Sequence, residues 1–192
     1  MKTAKLPLGM LLCASLLSVA RLSADAASLR DQAAAYRQEG FERQQRGDVE
    51  GALSAYQKAI ALDPSYATPH NDAGVLLESM NRLDEARQAY EQALSLDSNY
   101  LEAHGNLAML YERLGQKEQA IYHWLKRYQL GTPEDPGTAR AEERLAALGV
   151  LESYPGLKGK IYSRRRHIEQ ELMEHDKSVD EFHAITEQSG RW

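Results

Sequence analysis

Histidine and carboxylate residues near the C-terminal end of the chain offer the most obvious chemistry. His167, His175 and His183 recur every eight residues, and Glu171 and Glu187 each lie four residues from one of them. A histidine and a carboxylate at that spacing share a helix face and can chelate a metal ion. Eight residues of helix, however, rotate by about 80° beyond two full turns, so the three imidazoles do not converge on one ion. Surface salt bridges explain the same pairs, and a metal- or cofactor-handling accessory role for this segment stays as the alternative function.

Catalytic motifs are missing from the sequence. It contains no His-Glu-x-x-His pair, no Gly-rich phosphate loop and no Gly-x-Ser-x-Gly elbow. We therefore expect a protein that is not an enzyme and that needs no cofactor or bound metal. The formal net charge of −5 at pH 7 also disfavours nucleic acid as a partner, because an acidic chain repels phosphates.

The elements that position side chains repeat along the chain. Six ladders of similar residues advance by 34 positions: Gly40/Gly74/Ala108, Gly47/Asn81/Gly115, Ala52/Ala86/Ala120, Tyr56/Tyr90/Trp124, Leu62/Leu96/Leu130 and Ala59/Ala93. A fixed period of this size is typical of stacked helix-turn-helix units, each with an apolar face that it cannot bury alone. Turn-forming residues separate the helices at 46–48, 63–65, 80–82, 97–99 and 114–116. We expect three antiparallel helix pairs, the first helix beginning at Ser28 with Asp31 completing its capping pattern.

These ladders resemble the tetratricopeptide repeat (TPR) family. Residues 36–64 and 70–98 match its order of small, turn, small and aromatic positions, and residues 104–130 match as far as Trp124 before Arg127 replaces a small residue and Thr132 the turn proline. The resemblance implies an all-α, right-handed α-solenoid of three TPR hairpins, at about 33–66, 67–100 and 101–132. It also implies a packing role for His70 and His104, which stand where the family often has a large aromatic residue.

The third repeat is expected to be closed by a capping helix. Arg127 prevents a further regular repeat from stacking, and Asp135-Pro136 is typical of a helix start, with Gly149 as its end. The domain organisation is then three repeats over 27–132, a capping helix over 133–150 and a tail over 151–192. Ala141, Leu145 and Leu148 would face the third repeat.

The resemblance further implies which residues line a concave groove on the first helix of each hairpin. The candidate peptide-binding residues are Arg37, Gln38, Phe41, Asn71, Asp72, Val75, Asn106, Met109 and Arg113, with Gln44, Gln45, Glu78, Ser79, Glu102 and Glu112 beside them. Phe41, Val75 and Met109 form an apolar stripe flanked by Asn71 and Asn106. Such a stripe can hold an extended or helical peptide, because amides bond its backbone while apolar groups take its side chains. Alternatively, the three apolar residues fill space between their own helices.

A carboxylate-binding groove is not expected. Some relatives hold a C-terminal carboxylate with a cluster of Lys, Arg and Asn, whereas Asp72 and Glu102 stand at two of those positions here. The resemblance therefore favours a neutral, apolar or basic ligand.

The N-terminal segment predicts a secretory signal peptide over residues 1–26. Lys2 and Lys5 precede an apolar run over 6–20, and Ala24-Asp-Ala26 supplies the small-x-small pattern of a cleavage site. The run would form a helix of about 22 Å, short of a hydrocarbon core of about 30 Å. Cleavage after Ala26 and a periplasmic or secreted location are expected, with an uncleaved anchor as the alternative. Cys13 is the only cysteine, so the mature chain would hold no disulfide.

The tail begins with a basic cluster, formed by Lys158, Lys160, Arg164, Arg165 and Arg166. An amphipathic helix over about 165–188 is predicted to follow it. The tail is either solvated or docks on the protein's own acidic surface, on a second copy or on anionic lipid headgroups. Together these features favour a non-enzymatic exported scaffold that binds a peptide or helix of an envelope protein and aids assembly of an envelope complex.

Overall fold

Every regular element of the described chain is an α-helix. The computed structural model describes the backbone of residues 8–153 and the side chains of 27–152, together with residues 156, 159–161, 163, 166, 167, 170, 173, 174 and 177. Its helices are α1 (Leu8–Gln45), α2 (Val49–Leu62), α3 (Ala67–Ser79), α4 (Leu83–Leu96), α5 (Leu101–Arg113), α6 (Lys117–Leu130), α7 (Pro136–Ala147) and α8 (Val150–Ser153). The predicted all-α class, built from TPR-like hairpins, is confirmed.

The helices pack as three hairpins in two compact units. The first unit ends at Ser98, and the second begins at Asn99. In the first unit α1 packs on α2, α3 on α4, and α2 also contacts α3; in the second unit α5 packs on α6, which in turn contacts α7. Since each helix buries one flank against the next, the core of each unit is a row of side chains between neighbouring helices.

Close approach between the helices of a hairpin explains the small-residue ladders. A Cβ added to Gly40 would lie 2.5 Å from Cε1 of Tyr56, and one added to Gly74 would lie 2.6 Å from Cε1 of Tyr90. Both rings are almost fully buried. In the first two hairpins the first helix therefore lacks a side chain where the aromatic ring of the second helix packs, and the third hairpin has a small residue there, Ala108.

The turn ladder marks a left-handed backbone position. Gly47, Asn81 and Gly115 have φ of 79°, 60° and 72° and follow the first helix of their hairpins. Glycine adopts this conformation without strain, and asparagine tolerates it better than most other residues. Beyond Gly47, Asp48 caps α2 by accepting a hydrogen bond from the backbone N–H of Gly51 at 3.0 Å.

The predicted start of the first helix at Ser28 is wrong, because α1 runs continuously from Leu8 to Gln45. Ser28 accepts a bond from the Gln32 side chain at 3.3 Å instead of capping the backbone. No glycine or proline occurs between Met10 and Glu39, and alanine is frequent there, so nothing in this segment ends a helix. None of the helices in the described part is both long and apolar enough to cross a membrane. The signal peptide stays a prediction.

The helix after the third hairpin depends on a buried arginine. Arg127 is 6% exposed and forms an ion pair with Asp135, which also caps α7 by accepting from the Gly137 N–H. A Cβ on Gly131 or Gly137 would collide with the guanidinium, so the two glycines make the space that it fills. Leu145 of α7 is fully buried, as is Ala141, whereas Leu148 is partly exposed. Arg127 therefore joins α6 to a helix that stands where Asp135-Pro136 predicts one.

Candidate functional site

Six of the nine candidate residues lie on α1 and α3 of the first unit. Arg37 of α1 donates from Nε to Oδ2 of Asp72 on α3, at 2.8 Å. This bond joins the first helices of two consecutive hairpins. We call the surface around it the α1–α3 face and define it by Arg37, Gln38, Phe41, Asp72 and Val75.

Charge on this face is matched within the protein. The Asp72 carboxylate accepts from Arg37 and from the side chain of Asn71, which is 5% exposed. Burial raises the pKa of Asp72, while the hydrogen bonds from Arg37 and Asn71 act in the opposite direction. The two charges therefore balance each other within the protein. A ligand charge would have to break a partly buried ion pair to be recognised here.

Apolar groups lie one helical turn away from the ion pair. Phe41 is four residues beyond Arg37 on α1, and Val75 is three beyond Asp72 on α3, so each shares its helix face with the paired residue. Phe41 is 43% exposed, and Val75 is partly exposed. The α1–α3 face thus presents an apolar patch, of which the ring of Phe41 is the most accessible part.

The other three candidates lie on α5 of the second unit. Met109 is 38% exposed, Arg113 is exposed and Asn106 is partly buried. Met109 occupies the repeat position of Phe41 and Val75. Asn106 and Arg113 each take part in an interaction within the protein.

A ladder of hydrogen bonds crosses each hairpin, and the sequence did not predict it. Tyr56 donates from its hydroxyl to Gln44 at 2.8 Å, Tyr90 donates to Glu78 at 3.1 Å, and the indole N–H of Trp124 donates to Glu112. The resemblance places these three acceptors in the groove. Their polar ends instead face their own hairpin. The sequence contains a pattern that indicates these hydrogen bonds: a further 34-residue ladder, Gln44/Glu78/Glu112, lies twelve residues before the ladder Tyr56/Tyr90/Trp124.

Burial changes the pKa of the two tyrosines in this ladder, Tyr56 and Tyr90. Burial, followed by the nearby Asp72 carboxylate, raises the pKa of Tyr56 to about 12. Burial and the Glu78 carboxylate likewise raise the pKa of Tyr90. Both hydroxyls therefore stay protonated and keep donating at physiological pH.

Glu112 additionally anchors α7. Arg144 donates to both of its carboxylate oxygens, and this hydrogen bonding lowers the pKa of Glu112. Because the same carboxylate accepts from Trp124, one side chain connects the third hairpin to its capping helix. It is consequently not available as a free groove acid.

The mid-chain histidines have packing roles, as predicted. His104 is 4% exposed, and its Nδ1 lies 2.9 Å from Nδ1 of His123, whose ring stacks on Tyr111 at 5.6 Å. Burial, with the neighbouring His104, lowers the pKa of His123 to about 4. His70 is half-buried, and burial lowers its pKa too. His123 was not singled out by sequence because it belongs to no ladder.

The tail candidates are only partly within the described residues. Lys160, Arg166 and His167 are described and exposed. His175 and His183 lie outside the described residues, as do the remaining cations of the basic cluster: Lys158, Arg164 and Arg165. Across the part of the chain that the structure describes, no group of three or more His, Cys, Asp or Glu side chains could hold a metal ion.

Comparisons with known proteins identify the repeat. The sequence model of the TPR repeat matches residues 42–81 and 77–115. A comparison with curated proteins found no match.

Solved structures resemble the chain over nearly two thirds of its length. The crystal structure of PcrH in complex with the chaperone-binding region of PopD has a TM-score of 0.58 and 22% identity, covering 64% of this chain and 94% of that chain. The first TPR of Spaghetti (RPAP3), bound to the HSP90 peptide SRMEEVD, has a TM-score of 0.57 and 16% identity, covering 65% and 95%. The Yersinia enterocolitica type III secretion translocator chaperone SycD has a TM-score of 0.57 and 18% identity, covering 64% and 87%. At these identities the likeness concerns the fold alone.

Three observations therefore agree: the 34-residue ladders, the hairpins in which Gly40 and Gly74 face the rings of Tyr56 and Tyr90, and the match of the repeat model. Residues 42–115 of the chain are therefore tetratricopeptide repeats.

Proposed function

We propose that this chain is a non-enzymatic scaffold, exported to the cell envelope, that binds a peptide or helix of an envelope protein and aids assembly of an envelope complex. Each unit offers its own candidate surface on the first helices of its hairpins. In the first unit it is the α1–α3 face, and in the second unit it is the surface around Asn106, Met109 and Arg113.

The exposed ring of Phe41 is the observation that carries the proposal. At 43% exposure it is a large apolar side chain on a first helix, held beside a matched ion pair instead of being buried between its own helices. An accessible apolar group with fixed polar neighbours is a typical anchor point for a polypeptide. The structures of RPAP3 with an HSP90 peptide and of PcrH with a PopD region support peptide binding as a use of this fold.

Affinity capture from the envelope fraction of the native host tests the surface. The purified chain is compared with a variant in which Phe41, Val75 and Met109 are all replaced by alanine. The matched control replaces three exposed apolar residues of second helices: Leu96, Tyr122 and Leu130. Partners bound by the wild type and by the control should be lost from the Phe41/Val75/Met109 variant. An unchanged partner list in that variant would refute the assignment of the surface.

Export is tested separately by sequencing the N-terminus of the protein recovered from the periplasm or medium. Ala27 should be the first residue. A chain recovered only from the cytoplasmic fraction, beginning at Met1, would refute export while leaving the binding surface untouched.

A further inference from the structure

We infer that the α1–α3 face takes a segment of another protein through an uncharged apolar side chain, of the Leu, Met or Phe class, and that ionic contacts contribute little to this binding. The inference rests on the proposed function and specifies the ligand of the same surface. It follows from which groups on the face are already occupied and which are open.

The charged groups of the face are occupied. Arg37 and Asp72 are paired at 2.8 Å with 32% and 15% of their side chains exposed. Next to them, Gln38 donates to Glu42 at 3.1 Å. Since both charges of the central pair are matched, a charged ligand gains no unpaired counter-ion at this position.

Three polar groups further along the two helices are occupied as well. Gln44 accepts from Tyr56, and Glu78 accepts from Tyr90. Ser79 donates from its hydroxyl to the carbonyl of Leu76 at 2.6 Å. These bonds lie within single hairpins, so they persist whether or not a ligand is bound.

The net charge of the first unit disfavours an acidic ligand. Over residues 27–98 acidic residues outnumber basic ones. An acidic peptide would meet this unfavourable field, and the cation of the face, Arg37, is already paired with Asp72. The accessible feature that remains is the apolar patch of Phe41 and Val75. Burial of an apolar side chain against that patch is then the main source of affinity.

Selection from a random dodecapeptide phage library tests the inference. The library is panned on the immobilised full-length chain, and the peptides obtained are labelled and measured by fluorescence polarisation. Selected peptides should be rich in Leu, Met or Phe and not in Asp or Glu. Their Kd should change by less than about twofold between low and high salt, because few charges are screened. The Phe41→Ser variant should weaken binding about tenfold, and the matched exposed control Tyr122→Ser should not.

Changes in the peptide keep the test valid if Phe41→Ser does not fold. Replacing the apolar anchor of the peptide by Glu should abolish binding to the wild-type chain, and replacing it by another aliphatic residue should retain it. Peptides that are acidic, or whose binding falls steeply with salt, would overturn the inference while leaving the scaffold proposal intact. Failure to select any peptide would overturn the inference. So would the finding that the free chain is a dimer that Phe41→Ser dissociates, because a second copy of the chain would then occupy the face.

Discussion

Replacing Gly74 by alanine gives a test in which two physical effects oppose each other. In a helix interior, alanine is favoured over glycine by about 1 kcal/mol. In this structure, however, the new Cβ would lie 2.6 Å from Cε1 and 2.7 Å from Cδ1 of Tyr90. The ring is 1% exposed, and its hydroxyl is held by Glu78 at 3.1 Å, so it cannot rotate away without losing that bond.

The steric effect should exceed the propensity effect. Overpacking of a buried site costs about 1–3 kcal/mol, and the upper part of that range applies where the ring is held at both ends. We expect Gly74→Ala to lower the free energy of unfolding by about 1 kcal/mol or more. Urea denaturation followed by circular dichroism measures this difference.

Gly105 provides the matched control. It lies inside α5, and the nearest atoms to an added Cβ are side-chain atoms of Arg127 at 3.8 Å, an ordinary contact distance. Gly105→Ala should therefore keep the propensity gain and stabilise the protein by up to about 1 kcal/mol. If Gly74→Ala proved as stable as the wild type or more so, the close approach of the two helices would not control this ladder, and the reasoning would be refuted.

Three further predictions concern stability. The pKa of His123 is about 4 in the folded protein and 6.5 in the unfolded chain. The free energy of unfolding should therefore fall as the pH decreases from 6.5 toward 4, because the unfolded chain binds a proton in this range more readily than the folded protein. Urea unfolding at pH 7 and pH 5 should show this loss, at most about 3 kcal/mol in full, and His123→Asn should reduce it. Arg127→Ala removes the ion pair with Asp135 and should cost about 2 kcal/mol, measured by thermal unfolding; a change below about 1 kcal/mol would contradict the anchoring role. Tyr90→Phe removes a donor from Glu78 and should cost about 1 kcal/mol in urea denaturation, and an unaltered midpoint would mean that the bond adds nothing.

The hairpins were predictable because their packing imposes a residue type. Gly74 must be small because the ring of Tyr90 touches its backbone, and Gly47 must tolerate a positive φ because the chain reverses there. Such requirements repeat with the unit and appear as ladders in one sequence. The helix start at Asp135-Pro136 was predictable for a similar reason, since its cap is local in sequence.

Polar partners were less predictable, because their choice depends on three-dimensional proximity. Glu112 was interpreted as a groove residue, yet it accepts from Trp124 on α6 and pairs with Arg144 on α7. The bond between Arg37 and Asp72 spans two hairpins, and no local pattern specifies it. The first helix was predicted to begin too late, because a capping pattern at Ser28 has no effect where the preceding residues also favour a helix. Whether the candidate residues bind a peptide stays a prediction.

The guanidinium of Arg127 has an evolutionary consequence. Repeat arrays lengthen by duplicating a unit, and each copy must offer a small residue where the following helix crosses. In the third repeat that position is filled by a large cation bound to the next helix, so a duplicated unit inserted after Leu130 would meet a blocked flank. A regular fourth hairpin on this flank would therefore require replacement of Arg127 together with the residues that bind α7, among them Glu112.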